Sequence, residues 1–488
     1  LLDVNDINTK VRVLKQHNAA RDGRYADLLA IRSGEVERAF PEFFNDSFRK
    51  PLISNFIDIS ARDLAETLAP LPAFNASSGS MVTDAARKAA DKRTKAAAYY
   101  VEHSRLQRQM YTGADHYFTF GMLPITVEPD FAAKCPRIVV ESPVGAYPEI
   151  DRWGRIVSFS RCLHRPLHEL VALYPEHEKA LCKGESPNAN TRVEMILYRD
   201  AEQTMLYVPD RGNLVLEQAE QRLGQCPVRV AMRPSVDGQA HGQFDDVLWV
   251  QLARHRFALL GLEAAELSVE APLALPLDVQ EFPLGPHATL RTNNPEKIRR
   301  VGVEIPQAAF AESQLLDQEL RVGARYPGTR TGNFNGSIVT GRAIQELNGG
   351  FDSQIKAGQD ILADVFQDVL SLCFRMDETY WPGDEKSLRG NRDGVPYEIK
   401  WVPKRDIAGA WHDIEVSYGF SAGLDPNRAL VFLLQLLGGG LVSKDLVRRQ
   451  MPFGVNVTEE SAKIEVENLR DGLVQSVMAL AQAIPVFA

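Results

Sequence analysis

The amino-acid sequence predicts an α+β protein built from several domains, and three observations carry that reading. Apolar residues recur at Ile344, Leu347, Phe351, Ile355, Leu362, Phe366, Val369 and Cys373, in steps of three, four and, across Gly358, seven, the mark of a helix with one buried stripe. Across residues 122–232 the period shortens to two, in runs such as LPITVEP, RIVVES, RIVSFSR, RVEMILYR, TMLYVP and LVLEQ, which are strands. Residues 269–306 are punctuated by Pro272, Pro276, Pro283, Pro286, Pro295 and Pro306, so a small excursion is expected between two helices. At about 150 residues per domain, the 488 residues hold roughly three domains' worth of material.

In chain order, residues 5–34 read as one helix, capped at Asn5 or Asp6, with Ile7, Val11 and Leu14 on one face. FRKPLISNFIDISARDLAETLAPL resumes helical spacing at Ile57, Leu64 and Leu68 and stops at Pro70 and Pro72. NASSGSM, at 75–81, reads as a loop. From Asp84 to about Tyr111 runs a basic helix with Arg87, Lys88, Lys92, Arg93 and Lys95, which presents either a solvated face or a contact for an acidic partner. The β-rich region carries a helical insertion near 166–181 and a hairpin turn in PDRGN at 209–213. Asp245 and Asp246 open a helix with Leu248, Leu252, Leu259 and Leu262, acids that complement the dipole. After the Pro-rich excursion a second helix spans about 307–322 and delivers the chain to the polar loop GARYPGTRTGNFNGS. The long helix follows, on the order of 50 Å of it. GDEKSLRGNRDGVP reads as a charged loop, and YEIKWVP and HDIEVSYGF as strands that complete the upstream sheet. The tail is helical: Asp425-Pro426 caps one helix, Gly438 to Gly440 end it, Ser443 caps a short one, and Thr458 caps a last one to about Ala483.

The bulk properties exclude several functions. With 44% apolar and 24% charged residues the composition is that of a globular protein, and no window supplies the ~18 apolar residues of a membrane span. The N-terminus has no signal-peptide pattern and no Met, so a native start upstream of residue 1 is expected. Cys135, Cys162, Cys182, Cys226 and Cys373 lack metal or disulfide spacing, as expected of folding in a reducing cytoplasm. A net charge of −9 argues against gripping nucleic acid over a broad surface, but not against letting it slide past.

Catalytic chemistry is not visible. A nucleotide-driven motor needs a phosphate loop ending in Gly-Lys-Ser or Gly-Lys-Thr, and the series Gly328, Gly332, Gly336 has no Lys and no strand before it. No nucleophile elbow, H-E-x-x-H pair or C-x-x-C occurs. Cys162, His164, His168 and His177 would be a metal set only if Pro166 did not interrupt them. Asp352, Asp360, Asp364 and Asp368 share one helix face with Lys356, a row that is either a solvated or subunit-facing stripe or a divalent-metal ladder. No catalytic residue, cofactor or metal is expected.

The order of these elements resembles that of the portal, or head-to-tail connector, proteins of tailed bacteriophages. PLISNFIDISARDLAETL resembles the segment in which an Asn opens a helix through the early core, and FGMLPITVEPDFAAKCPRIVVESPVGAYPEIDRWGRIVSFSR resembles the wing strands. QFDDVLWVQLARHRFALL resembles the first stem helix, and FPLGPHATLRTNNPEKIRRVGVEIP the clip and entry to the second. IVTGRAIQELNGGFDSQIKAGQDILADVFQDVLSLCF resembles the long helix after the tunnel loop, and GGGLVSKDLVRRQMP the crown-side helices. The chain departs from a common form at Arg254-His255-Arg256, where many portals carry an Asn, and at GRAIQEL, which replaces a Ser-Gly-rich start.

The resemblance implies a portal-like multidomain subunit with β-rich wing, two-helix stem, small α/β clip, tunnel loop, long helix and helical crown. Its parts would be 1–82 (N-terminal helical part of the wing), 83–243 (wing with β-rich sheet), 244–268 (first stem helix), 269–306 (clip), 307–322 (second stem helix), 323–338 (tunnel loop), 339–378 (long helix), 379–424 (returning wing strands) and 425–488 (helical crown). It further implies a structural, non-enzymatic homo-dodecamer at the unique capsid vertex of the virion, at the head-tail junction, assembled in the host cytoplasm. Such a ring conducts double-stranded DNA during packaging and ejection. Its partners would be the terminase large subunit, the head-tail adaptor and the major capsid protein, with no membrane. The residues implied are Arg325, Arg330, Thr331, Asn333 and Asn335 in a DNA-facing tunnel loop, and Lys297, Arg299 and Arg300 in clip contacts with partners. The competing readings are an adaptor or minor capsid scaffold protein, and a metal-dependent nuclease using the Asp352–Asp368 row.

Overall fold

The computed structural model describes residues 2–44, 54–77, 83–184, 186, 188–269, 273–276, 293, 295–300, 307–331, 341–392, 395–418, 426–440, 447, 464, 466–476 and 478. Helix α1 (Val4–His17) is capped by Asp3, whose carboxylate accepts the Asn5 N–H, and not by Asn5 or Asp6. The single helix expected over 5–34 is two. The break is at Asn18, whose side-chain amide (2.8 Å) competes with its own backbone N–H (3.0 Å) for the Leu14 carbonyl, and α2 (Ala19–Ser33) restarts beyond it. Short helices α3 (Val36–Ala39) and α4 (Pro41–Phe44) precede α5 (Phe56–Leu68), and the expected loop at 75–81 begins inside strand β1 (Ala73–Ala76).

The basic helix is also two, α6 (Asp84–His103) and α7 (Leu106–Phe120). The Ser104 hydroxyl donates to the Tyr100 carbonyl (2.7 Å) and accepts the Ile138 N–H (2.8 Å), and Arg105 turns left-handed at φ 50°. The β-rich region holds β2 (Met122–Asp130), β3 (Cys135–Val140), β4 (Ala146–Ile150), β5 (Ile156–Pro166), β6 (Arg192–Arg199), β7 (Gln203–Val208), β8 (Leu214–Glu220) and β9 (Val228–Met232), with α8 (Leu167–Leu173) and α9 (Glu178–Cys182) after β5. Then come α10 (Leu248–Val269), β10 (Leu273–Ala274), β11 (Arg299–Arg300), α11 (Gln307–Gly323) and α12 (Gly341–Tyr380). The described chain continues through β12 (Lys386–Arg392), β13 (Val395–Trp401), α13 (Pro403–Asp406), β14 (Ile414–Ser417) and α14 (Pro426–Gly438). Residues 466–476 are helical, whereas the caps expected at Asp425, Ser443 and Thr458 lie outside the described residues.

The chain is thus mixed α and β, with antiparallel sheets, and divides into two units. The first comprises residues 1–20, 64–240 and 352–488. Its main sheet has the order β4-β5-β6-β7-β8, beside a three-stranded sheet β3-β2-β9. Alternation along β6 covers both faces of the larger sheet. Ile196 and Tyr198 join Ile7 and Val11 of α1, while Val193 and Met195 join Leu167 and Leu170 of α8. The returning strands do not complete that sheet. β14 pairs with β1, and β13 pairs with β12, the segment expected to be a charged loop. Leu388 is the buried side chain of that charged strand, and Glu398 of β13 binds Arg389 (3.0 Å) and Ser387 (2.7 Å) across the ladder. Gly390 is required there, since a Cβ would meet the Tyr397 hydroxyl at 2.6 Å.

The stripe of α12 is buried at Phe351, Ile355, Leu362, Phe366, Val369 and Cys373. Its interruption has a cause: a Cβ at Gly358 would stand 3.3 Å from the Tyr117 ring and 3.5 Å from Leu68, so the missing side chain lets those two in.

The second unit comprises residues 21–63 and 241–351. Helices α10 and α11 pack together, tied by Arg254–Asp317 at 2.9 Å. The segment between them closes in an antiparallel ladder that pairs Leu273 with Arg300 and Ala274 with Arg299. Phe40 meets Trp249, at the start of α10, edge-on and Phe43 lies tilted beside it, and the Asn55 side chain donates to the Ile31 carbonyl at 2.6 Å.

Candidate functional site

The segment that follows α11 was expected to be a free loop, and its first part is not. Tyr326 is buried, its ring edge-on to Phe56 (5.7 Å) and to Phe351 (5.9 Å), and its hydroxyl donates to Asp63 Oδ2 at 2.9 Å. Arg330, in the 3-10 turn Gly328–Thr331, donates to both oxygens of the same carboxylate, at 2.6 and 3.0 Å, and lies 4.6 Å over the Phe351 ring. Burial works against the guanidinium charge, but the hydrogen bonds and charge of Asp63 outweigh it and hold the Arg330 pKa above its ordinary value. Burial, followed by Asp63, pushes the Tyr326 phenol up to about 12. Arg330 is therefore the anchor of the segment to α5, a role invisible in the loop's own sequence because its partner lies 267 residues earlier.

The other expected site residues are dispersed. Arg325 is exposed, at φ 50° in the turn after α11. Thr331 closes the 3-10 turn, while Asn333 and Asn335 lie outside the described residues. Lys297 ends a 3-10 turn that starts at Pro295, and Arg299 and Arg300 form β11.

Helix α10 combines features that a water-facing helix would not. In its sequence, LWVQLARHRFALLGLEAAELSV, apolar residues are spread round the helix and not gathered on one face, and Trp249, Leu260 and Leu267 are 57%, 45% and 50% exposed. On α11, Leu315 and Val322 are likewise exposed. His255 is buried in α10, with the Gln251 amide 2.6 Å from its Nε2. Burial, aided by neighbouring Arg254, lowers its pKa to about 4. Between that value and roughly 6.5, where a free histidine titrates, the unfolded chain binds the extra proton, so acidification destabilises the fold. We expect His255→Gln to remove on the order of 2–3 kcal/mol of the stability that the parent loses between pH 7 and pH 4. Denaturant titrations at both pH values measure this, and equal losses in parent and variant would contradict it.

Matched against known proteins, the chain fits no family model and no curated sequence.

The acidic row on α12 is exposed at Asp352, Asp360 and Asp364, and Asp368 lies 3.8 Å from Arg229. Among the described residues no group of three or more His, Cys, Asp or Glu side chains is placed to hold a metal ion. Cys162 belongs to the core under α1, and His168 faces the Asn188 carbonyl at 3.4 Å. Nor is the row of cations on α6 simply a solvated face: Lys92 pairs with Asp406 (2.6 Å), Lys95 with Asp91 (2.6 Å), and Arg93 is buried, donating to the Ser77 carbonyl (2.8 Å).

Two polar knots escaped the sequence reading. Asp377, fully buried, accepts from the Tyr100 hydroxyl (2.6 Å), the Trp401 indole (2.7 Å) and the Lys386 ammonium. Glu141, also buried, binds Arg199 (2.8 Å), Arg161 and the Thr126 hydroxyl (2.9 Å). Burial raises the Glu141 pKa, but the two arginines and Thr126 outweigh it and hold the carboxyl below its ordinary value. Each knot joins residues far apart in the chain, and no local spacing announces it.

Proposed function

We propose that the chain is a portal subunit: a structural protein whose copies form a ring around a channel at one capsid vertex. Double-stranded DNA is packaged and released through that channel, and the terminase and later the tail attach to the ring. One observation carries the reading. Helix α10 has apolar residues on all its sides, and its exposed Trp249, Leu260 and Leu267 leave uncovered a surface of the kind that proteins bury. Identical neighbours on either side would cover it, and a head-to-tail contact repeated between copies forms a ring when its rotation closes on itself.

The neighbouring features fit this reading. The helix pair α10 and α11 with the β10-β11 ladder between them matches a stem that carries a clip. The Arg330 anchor holds one end of the segment that would line the channel, and α12, with 40 residues, follows it. A net charge of −9 suits a conduit that repels DNA in general and touches it at a few ring positions. Electron microscopy of the purified full-length protein tests the proposal. Rings with a stain-filled central channel and a narrow stalk are expected. Monomers at micromolar concentration, or rings without a stalk, would refute it.

A further inference from the structure

The first unit also contains an open groove of about 890 Å³ that none of the features above uses. Its floor is apolar, formed by Phe74 of β1, Val101 of α6 and Leu106 of α7. Arg105, Arg108 and Tyr111 stand on its rim, all three exposed. Among the described residues neither guanidinium has a partner. Glu102, the acid of the lining, faces the Asn391 N–H at 3.4 Å and forms no ion pair with either arginine.

Another lining group is occupied: Arg392 donates to the Asn75 side chain at 2.6 Å and reaches the Phe74 carbonyl at 3.5 Å. Next to the lining, the Thr94 hydroxyl accepts the Ala76 N–H at 2.8 Å. These bonds take up two of the backbone groups on the outward edge of β1, so recognition of an occupant falls mainly to side chains.

Two unpaired guanidinium groups above an apolar floor select a ligand with carboxylates next to an apolar anchor. The rim of arginines and an exposed tyrosine has the composition of a protein-binding hot spot. A concave apolar floor suits side chains better than the projecting phosphate ridge of a duplex. We propose that this groove docks an acidic peptide segment of a partner protein. An aromatic or aliphatic side chain rests on Phe74, Val101 and Leu106, and Asp or Glu carboxylates pair with Arg105 and Arg108.

The test is a selection of random short peptides, displayed on beads, against the full-length protein. The best binder is then labelled with fluorescein and titrated by anisotropy. Enriched peptides should combine an aromatic residue or leucine with two or more acids, and added salt should weaken them. Affinity should fall at least about tenfold in Arg105→Glu/Arg108→Glu, and by less in the Gln pair, with the circular dichroism spectrum unchanged. Three results would overturn the proposal: no enrichment over bare beads, enriched peptides that lack acids, or equal binding by the double variant. Displacement of the peptide by duplex DNA or free ATP at concentrations below the peptide's own Kd would assign the arginines to phosphate, and would also overturn it.

Discussion

Asp377→Ala is expected to lower the unfolding free energy by about 3–5 kcal/mol, because it leaves a buried ammonium without a counter-charge. The carboxylate has no exposure and serves three donors at once: Tyr100, Trp401 and Lys386, the last only 9% exposed. Removing it strands all three, and a stranded buried donor costs about 1–3 kcal/mol even when neutral. The rings that enclose the knot, Phe374 against Tyr100 at 6.0 Å and against Trp401 at 6.3 Å, leave little room for water to take over. A second substitution separates the charge from the cavity: Asp377→Ala/Lys386→Met should recover a substantial part of the loss, since the orphaned charge is gone. Urea titrations followed by tryptophan fluorescence report both numbers. A loss below about 1 kcal/mol in the single variant would show that the knot is not a structural centre.

Leu260→Glu/Leu267→Glu should convert the proposed ring into folded monomers. Both leucines are about half exposed in the single chain, so the substitutions leave its core alone. In a ring the exposed half of each would be covered, at about 0.7–1.5 kcal/mol per side chain, and the incoming carboxylates would add a desolvation cost of a few kcal/mol without partners. Losing roughly 3–6 kcal/mol per interface weakens each contact by about two to four orders of magnitude. Size-exclusion chromatography with light scattering should give the mass of one subunit, with an unchanged far-ultraviolet spectrum. Leu260→Met, which conserves volume, should retain the assembly. Persistence of the ring in the double glutamate variant would place the interface elsewhere and leave the exposure of α10 unexplained.

Much of the architecture was legible because it obeys short-range periodicity. The stripe from Phe351 to Cys373 is buried as its spacing requires, and the runs between Met122 and Met232 are strands, although β2 and β7 are buried along most of their length, β7 because both faces of the larger sheet are covered. What escaped was set by single side chains or by distant partners. Asn18 and Ser104 divide helices that periodicity alone would run together, each by competing for a carbonyl one turn back. KSLRGNR reads as a loop because its polar residues mask one buried leucine, and its strand character comes from the facing Glu398 and Tyr397. The candidate site was half legible. The arginine of GTRT stood out, but Asp63, which decides what Arg330 does, looked like one more charge on an amphipathic helix.

The first unit draws on three stretches of chain separated by the whole of the second, and this sets an order of events during synthesis. Tyr100 emerges from the ribosome 277 residues before the carboxylate it binds. At about 5–20 residues per second, roughly 15–55 s pass between the two. Throughout that interval α6 and the early strands wait with an unmet hydroxyl and an uncovered apolar face. The nascent chain therefore spends this whole interval, roughly 15–55 s, as a client for chaperones, and its yield in a cell depends on how well that interval is protected.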